Sequence, residues 1–465
     1  MPKNIPKKIV QAVAESPARA VEASVEATKA VTKKAGDIKP VKAVQRYIDS
    51  LGPGLTTGAA DDDPSGIATY SQAGSEFGYR YLWLALFSLP FMALVQEMCA
   101  RVGIATGRGL AGILKTHYAK WILVICTILL FTANTVNIGA DIGAMAASIN
   151  LILPKAGFIM LAVLCTVLSL GLQIFMPYHK YAKYLKYLTL VLFAYVIAFF
   201  MVAHSWKDIA LDTLIPHLSF NKDTLYLVVA ILGTTISPYL FFWEASQEVE
   251  KEIDKGVTNI EDRKNEATEK TIGNMRKDVY SGMIFSNLAM FFIIGLAAST
   301  LHANGITNIA TTREAAEALR PLAGNATYYL FTLGVVGTGL LAIPVLAGSA
   351  SYAISETMGW RGSLSHKLKE DYGFYGIIII AVILGLIINY FSTDPIRVLI
   401  FAAVLNGLIA PVLIALITLV SSNKNIMGPW VNGPWRKTLA WLAVVLMGGV
   451  GLIMILSLIV PNLLI

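Results

Sequence analysis

Three consecutive carboxylates, Asp61 to Asp63, lie within an apolar stretch at residues 51–73 that is long enough to cross a bilayer. A charge at the hydrocarbon centre costs on the order of 3 kcal/mol, so such acids usually face a cavity and serve a function. Pro64 cannot donate a backbone hydrogen bond, and Gly66 tolerates unusual dihedral angles. We therefore expect the helix to break at the acids and to free backbone carbonyls that, with the carboxylates, bind a cation.

A second interrupted stretch lies five predicted spans later. Residues 232–239 read Leu-Gly-Thr-Thr-Ile-Ser-Pro-Tyr inside an apolar run. Taken alone, Pro238 is typical of a simple kink, and the three acids could occupy a surface loop between two short helices. Paired breaks at corresponding places in two halves are instead typical of inverted-repeat transporters, which bind their substrate between the breaks. Apolar sequence on both sides of the acids also favours the membrane site.

Carboxylates, hydroxyls and freed carbonyls are hard oxygen ligands, which suit Mg²⁺, Ca²⁺ or Mn²⁺. A soft metal would favour thiolate or thioether ligands, whereas the second break offers Ser237. Mg²⁺ keeps several waters and takes few direct protein ligands. The small neighbours Ser65, Gly66 and Ser237 leave room for those waters, although this pattern does not separate Mg²⁺ from Ca²⁺.

The composition indicates an integral membrane protein. Of the 465 residues, 55% are hydrophobic and 14% are charged, and the mean hydropathy is +0.62. The apolar residues form long continuous runs, which excludes an outer-membrane barrel because its strands would alternate. The formal net charge of +7 lies mostly in loops and the amino-terminal tail, so it indicates topology rather than nucleic-acid binding. The odd number of cysteines and the lack of a CxxC pair predict buried free thiols, with neither a disulfide nor a zinc site.

We predict an all-α membrane protein with about eleven transmembrane helices, the first and sixth of them broken. The predicted spans are residues 51–73, 81–104, 121–149, 157–176, 184–203, 224–246, 279–301, 326–355, 374–390, 395–420 and 435–460. The predicted domains are a cytoplasmic basic tail at 1–48, a first repeat at 49–205, a second repeat at 206–422 and an additional helix at 423–465. Within the tail, residues 10–35 can form an amphipathic helix or a solvated segment.

The distribution of basic residues predicts the orientation. With the amino terminus in the cytoplasm, inside segments carry 30 Lys and Arg and outside loops carry 7. This asymmetry follows the positive-inside rule. An odd number of spans then places the carboxyl terminus outside a cell membrane.

Two motifs resemble a known family. Residues 52–54 read Gly-Pro-Gly and residues 63–66 read Asp-Pro-Ser-Gly, similar to the first helix of the NRAMP divalent-metal transporters, whose motif is Asp-Pro-Gly-Asn. Residues 100–107 read Ala-Arg-Val-Gly-Ile-Ala-Thr-Gly, close to the family's Ala-Arg-Leu-Gly-x-x-Thr-Gly. The resemblance implies a LeuT-type fold of two inverted repeats and a transporter rather than an enzyme.

The resemblance also implies a metal site. Asp63 stands at the family's metal-binding Asp, Gly66 replaces a metal-binding Asn, and Thr234 stands where a carbonyl is offered. Ser237 replaces a Met whose thioether favours Mn²⁺ and Fe²⁺. These departures resemble the NRAMP-related magnesium transporter branch, in which the ion keeps more water.

The resemblance does not imply proton coupling, because several residues at the family's proton-handling positions differ here. Asn134 stands where the family has an acidic residue, Tyr239 and Glu244 correspond to two histidines, and the ninth span has no Arg or Lys. Asp141 matches a family Asp. The resemblance therefore implies gradient-driven Mg²⁺ import, with some Mn²⁺. Asn134 and Asn137 can equally make ordinary interhelical hydrogen bonds.

Further candidates for a vestibule or for the surroundings of the ion complete the site prediction; they are Asp62, Ser65, Glu244, Asn134, Asp141 and Asn406. The expected partners are a divalent metal ion and the lipid bilayer, with no resident cofactor, no nucleic acid and a monomeric state. The rival predictions are a proton-coupled Mn²⁺/Fe²⁺ importer, a sodium-coupled amino-acid symporter and an intramembrane aspartic protease. The three acids would repel an amino-acid carboxylate, and the protease lacks its Gly-x-Gly-Asp motif.

Overall fold

Prolines and small polar caps divide the long apolar runs into helices. The computed structural model describes residues 52–176, 189–219, 221–391 and 394–459, and within these ranges it contains no strand. The predicted tail at 1–48, with its helix at 10–35, lies outside the described residues. The first helices are α1 (Pro53–Asp61), α2 (Pro64–Phe77), α3 (Leu82–Thr106), α4 (Leu110–His117), α5 (Lys120–Ile152), α6 (Phe158–Phe175), α7 (Phe193–Met201), α8 (Trp206–Leu214), α9 (Lys222–Thr235) and α10 (Pro238–Asp254). The later helices are α11 (Ile260–Asn265), α12 (Glu269–Thr300), α13 (Thr312–Glu317), α14 (Arg320–Ala323), α15 (Thr327–Met358), α16 (Tyr372–Phe391), α17 (Pro395–Ser421), α18 (Lys424–Met427) and α19 (Pro434–Ile459).

Nine helical stretches of the described chain are long and apolar enough to cross a membrane. One of them, Pro64–Thr106, contains both α2 and α3, joined by a 3₁₀ turn at Gly78–Tyr81. The predicted fifth span, 184–203, is described only from its 3₁₀ turn at Thr189–Leu192 through α7. The predicted all-α membrane architecture is confirmed.

Local sequence signals set several helix ends. Asp394 caps α17 by accepting a hydrogen bond from the backbone N–H of Arg397, and Pro395 occupies the first turn, an arrangement typical of helix starts. Helix α12 begins at Glu269, behind the cap Thr268, well before the predicted span at residue 279. Hydropathy detects only the apolar part of such a helix, so it misses the polar turns that precede it.

Both predicted breaks are present. Between α1 and α2, Asp63 is the N-cap of α2 and Pro64 its first residue. Between α9 and α10, Ser237 is the N-cap and Pro238 the first residue. Because proline has no N–H to donate to the preceding turn, each helix ends there and starts again with a new amino terminus.

Glycines bring the broken helices against their neighbours. Gly58 of α1 packs on the backbone of Gly282 in α12, so closely that a methyl group on either residue would overlap with the other helix. Asp278 of α12 accepts hydrogen bonds from the backbone N–H groups of Gly54 (3.0 Å) and Leu55 (3.1 Å). The amino terminus of α1 is therefore held on α12 by packing and by a carboxylate cap.

The second broken helix packs in the same way. A side chain at Gly233 of α9 would overlap with the carbonyl of Ala403 in α17, and one at Gly407 would overlap with the carbonyl of Val229. Both breaks are thus held by direct backbone contacts, which leave no space for even one methyl group.

We expect Gly282→Ala to lower the thermal unfolding temperature of the purified protein. The added methyl group overlaps with the backbone of Gly54 and Leu55, and overpacking of this kind costs roughly 1–3 kcal/mol. The matched control is Gly273→Ala on the same helix, where nothing lies within 4 Å. That control should be neutral or stabilising because alanine favours a helix. Equal melting temperatures for the two variants would contradict the close contact.

Candidate functional site

The carboxylate of Asp63 lies at the first break and is held by three donors. Its Oδ1 accepts hydrogen bonds from the N–H of Gly66 and the hydroxyl of Ser65, both at 2.7 Å. Its Oδ2 accepts a hydrogen bond of 3.0 Å from the amide of Asn137 on α5. Asp63 is 1% exposed. Hydrogen bonds to a carboxylate are strong and directional, so this orientation is well defined.

The second break faces the first across a short gap. The hydroxyl oxygens of Ser65 and Thr234 are 3.5 Å apart. A side chain at Gly66 would lie 3.2 Å from the Thr234 hydroxyl and 3.4 Å from the carbonyl oxygen of Asp61. That side chain would also lie 3.4 Å from a ring carbon of Tyr70, so glycine leaves a narrow space between the Thr234 hydroxyl, the Asp61 carbonyl and the Tyr70 ring.

Two hydrogen bonds tie the broken helices together. The Tyr239 hydroxyl, on α10, donates to the carbonyl of Ala60 in the last turn of α1 at 3.1 Å. The hydroxyls of Tyr70 on α2 and Thr235 on α9 are 3.1 Å apart. Each half of one broken helix is thus bonded to a half of the other, so the two breaks lie side by side.

Ser237 lies at the second break and closes the end of α9. Its hydroxyl donates to the carbonyls of Gly233 (3.0 Å) and Thr234 (2.9 Å). Ser237 thus contacts Thr234, and Thr234 in turn lies beside Gly66. The structure therefore brings together three of the four predicted metal-binding residues directly and the fourth through Thr234.

Asp61 and Asp62 lie against α12. The Ser286 hydroxyl donates to Asp61 Oδ2 (2.6 Å) and to Asp62 Oδ1 (3.3 Å), and both acids are 0% exposed. Ser286 thus pairs with both carboxylates and was not among the sequence predictions.

The other predicted residues lie outside the hydrogen bonds of Asp63. Asn134 donates to the carbonyl of Leu346 on α15 (2.8 Å), so it makes the interhelical hydrogen bond that was the alternative prediction for it. Glu244 accepts a hydrogen bond from Thr57 on α1. Neither Asp141 nor Asn406 has a hydrogen-bond partner for its side chain within the described ranges, although both are buried.

Asn137 makes the interhelical hydrogen bond that the sequence predicts for it as an alternative to ion contact. Its partner, which the sequence does not identify, is the carboxylate of Asp63, and its own Oδ1 is buried without a partner in the described part of the chain. A signal was present, because residues 134, 137 and 141 are spaced three and four apart and share one face of α5. Of that polar stripe, Asn137 contacts Asp63 at the first break, whereas Asn134 contacts α15.

The described residues contain no group of three or more His, Cys, Asp or Glu side chains that could hold a metal ion. The site instead offers one carboxylate with hydroxyl, amide and carbonyl oxygens around it. A hard cation that retains much of its water needs few protein ligands and fits such a set of donors.

Solved structures identify the fold. The crystal structure of the Eremococcus coleocola manganese transporter, in complex with an aromatic bis-isothiourea compound, aligns with a TM-score of 0.69 at 18% identity and covers 90% of this chain and 89% of that one. The structure of Mhp1, a nucleobase-cation-symport-1 family transporter, aligns with a TM-score of 0.56 at 12% identity, over 88% and 91% of the two chains. The fold is therefore that of the LeuT-type membrane transporters.

The family follows from the sequence. The model of the Nramp family, described as natural resistance-associated macrophage protein-like, matches residues 54–457. The divalent metal cation transporter MntH of Klebsiella pneumoniae is 25% identical over 400 residues, 85% of this chain and 90% of that protein. MntH of Staphylococcus aureus is 23% identical over 418 residues, 87% and 90% of the two chains. The chain belongs to the Nramp family and is a transporter, not an enzyme.

We expect Asn137→Ala to reduce the transport rate in proteoliposomes at least about tenfold, since losing a hydrogen bond to a buried charged group costs about 1.5–3 kcal/mol. The matched control is Asn134→Ala, which removes the same side chain one turn away on α5 but leaves Asp63 untouched. Folding of both variants is checked by size-exclusion chromatography. Equal rates for the two variants would show that the amide bonded to Asp63 is dispensable.

Proposed function

We propose that the protein imports divalent metal ions across the cell membrane by alternating access, with Mg²⁺ as the main substrate and Mn²⁺ carried to some degree. The observation that carries this proposal is the single carboxylate of Asp63, facing the hydroxyl- and carbonyl-lined gap between two helix breaks. We propose Asp63, Gly66, Thr234 and Ser237 as the metal-binding residues. Transport of divalent metal is also the function named for the MntH relatives.

The donor chemistry supports a hard, partly hydrated ion. The break between α9 and α10 supplies a serine hydroxyl where a thioether would favour softer metals. One carboxylate and small neighbours suit Mg²⁺, which sheds its water reluctantly and is commonly held by only one or two carboxylates.

We further propose that transport is driven by the metal gradient without protons. Asn134 is neutral and is bonded to α15. Tyr239 stands at a position where the family resemblance gives a histidine, and its hydroxyl donates a hydrogen bond to the Ala60 carbonyl. Neither group is suited to carry a proton at neutral pH.

The alternative is a proton-coupled Mn²⁺/Fe²⁺ importer of the same fold. Two observations favour it. One of the solved structures that share the fold is that of a manganese transporter, and Asp141 is a fully buried carboxyl without a hydrogen-bond partner in the described ranges. A buried carboxyl of this kind is typical of proton relays in transporters.

The remaining features of the proposal concern topology. Basic-residue asymmetry supports a cytoplasmic amino terminus and an extracellular carboxyl terminus. We retain residues 49–205 and 206–422 as the two repeats, 423–465 as an additional helix, and a monomer as the working unit.

In proteoliposomes we expect Mg²⁺ to enter down its gradient without acidifying the lumen. Asp63→Ala should abolish this flux because it removes the carboxylate between the breaks. Asp208→Ala, which removes an exposed carboxylate from α8, is the control and should transport normally. A Mg²⁺ indicator and a pH dye report the two ions together. Metal-driven acidification would favour the proton-coupled alternative, and unchanged flux in Asp63→Ala would exclude Asp63 from the site.

Ser237→Met should raise the ratio of Mn²⁺ to Mg²⁺ transport, because a thioether favours the softer ion. Ser237→Ala removes the same hydroxyl without adding sulfur and should leave the ratio close to that of the wild type. Competition of Mn²⁺ flux by excess Mg²⁺ measures the ratio in all three proteins. If the methionine and alanine variants show the same ratio, ligand softness at residue 237 does not set selectivity.

A further inference from the structure

A buried ion pair lies away from the transport site, in the second half of α3. Glu97 is 0% exposed and Arg101 is 1% exposed. The guanidinium of Arg101 donates to Glu97 from Nε (3.1 Å) and Nη2 (3.1 Å). It also donates to the Trp430 carbonyl and to Asn432 Oδ1. All three guanidinium nitrogens of Arg101 therefore donate hydrogen bonds, and its charge neutralises that of Glu97.

Two further guanidinium groups approach the same carboxylate. Arg276 of α12 donates from Nε to Glu97 Oε1 at 2.9 Å, and Nη2 of Arg436 in α19 lies 4.0 Å from that oxygen. Within the described residues, Glu97 is the one carboxylate that forms an ion pair with these three arginines. The cluster therefore carries excess positive charge, and that charge lies on Arg276 and Arg436, which are 31% and 32% exposed.

Both partly exposed arginines lie just before the apolar parts of their helices; Arg276 is about two turns into α12. Arg436 is in the first turn of α19, next to Trp435, which is 75% exposed. Beyond the arginines, both helices present apolar side chains to their surroundings; these are Tyr280, Ile284 and Leu288 on α12 and Leu442, Val445 and Leu446 on α19. Exposed tryptophan and arginine at the end of an apolar helix face mark the level of the lipid head groups.

We propose that Arg276 and Arg436 together bind the phosphate of an anionic phospholipid, at the level where the apolar parts of α12 and α19 begin. A guanidinium binds phosphate with paired, charge-assisted hydrogen bonds, and Arg276 uses only its Nε on Glu97. The phosphate supplies the negative charge that the cluster lacks. Exposed apolar side chains continue from each arginine along its own helix and offer a surface to the acyl chains, which is why a lipid, rather than free phosphate, is the ligand.

Such a lipid would link α19 to the helix that supports the transport site. Helix α12 holds the amino terminus of α1 through Asp278 and pairs with Asp61 through Ser286. A bridging phosphate should therefore stabilise the bundle as a whole, and the effect should be visible without any transport measurement.

The test compares two double variants of the full chain. Arg276→Gln/Arg436→Gln removes the proposed site, and Lys277→Gln/Lys437→Gln removes the same charge from exposed residues one position along each helix. The proteins are reconstituted in nanodiscs of phosphatidylcholine alone or with phosphatidylglycerol. Native mass spectrometry counts retained phosphatidylglycerol, and thermal unfolding reports its stabilising effect.

We expect the wild type and the lysine variant to retain phosphatidylglycerol and to unfold at a higher temperature with it. The arginine variant should retain at least about fivefold less than the lysine variant, which loses the same charge from the membrane surface but keeps the two guanidinium groups that bind the phosphate. Equal retention by the two variants would overturn the proposal, as would full stabilisation by inorganic phosphate in phosphatidylcholine nanodiscs. If the arginine variant does not fold, Arg436→Gln alone is measured in the same way, and unchanged retention would overturn it.

Discussion

A carboxylate buried in an apolar helical bundle must find donors, and this requirement shapes the transport site around Asp63. A continuous helix would have left its backbone N–H groups bonded internally, whereas the break at Pro64 gives Asp63 the free N–H of Gly66. The remaining donors are Ser65 on the same helix and Asn137 on α5. The broken helix thus supplies the backbone donor that satisfies the carboxylate at the proposed metal site.

The packing of the broken helices indicates which contacts the proposed alternating access would change. In its middle turn, α1 contacts α12 through Gly58 and Gly282 and bonds to α10 through Thr57 and Glu244. Side chains at the proposed site are 1% exposed or less. Under the proposed cycle, an opening between α1 and these two helices would separate the glycine contact and the Thr57–Glu244 hydrogen bond.

Sequence reasoning reached the helices and breaks because their signals are local. Asp394 with Pro395, and Asp63 with Pro64, carry cap and first-turn residues side by side. The partners of the buried acids were less accessible. Asn137 is 74 residues from Asp63 and Ser286 is 225 residues from Asp61. Hydropathy locates the spans that carry them but does not set how each helix is rotated. The sequence does not predict the excess of arginine around Glu97 either, because the arginines lie on three different helices that meet only in the folded protein.

The central claim is that a divalent ion binds between the two breaks, on the carboxylate of Asp63. The most direct measurement is an experimental structure of the protein with Mn²⁺, which Mg²⁺ can displace, in which the anomalous scattering of manganese locates the ion. The account predicts one peak within coordination distance, or one bridging water, of Asp63 and close to Thr234. A peak elsewhere in the bundle, with the Asp63 carboxylate still bonded only to Ser65, Gly66 and Asn137, would contradict it.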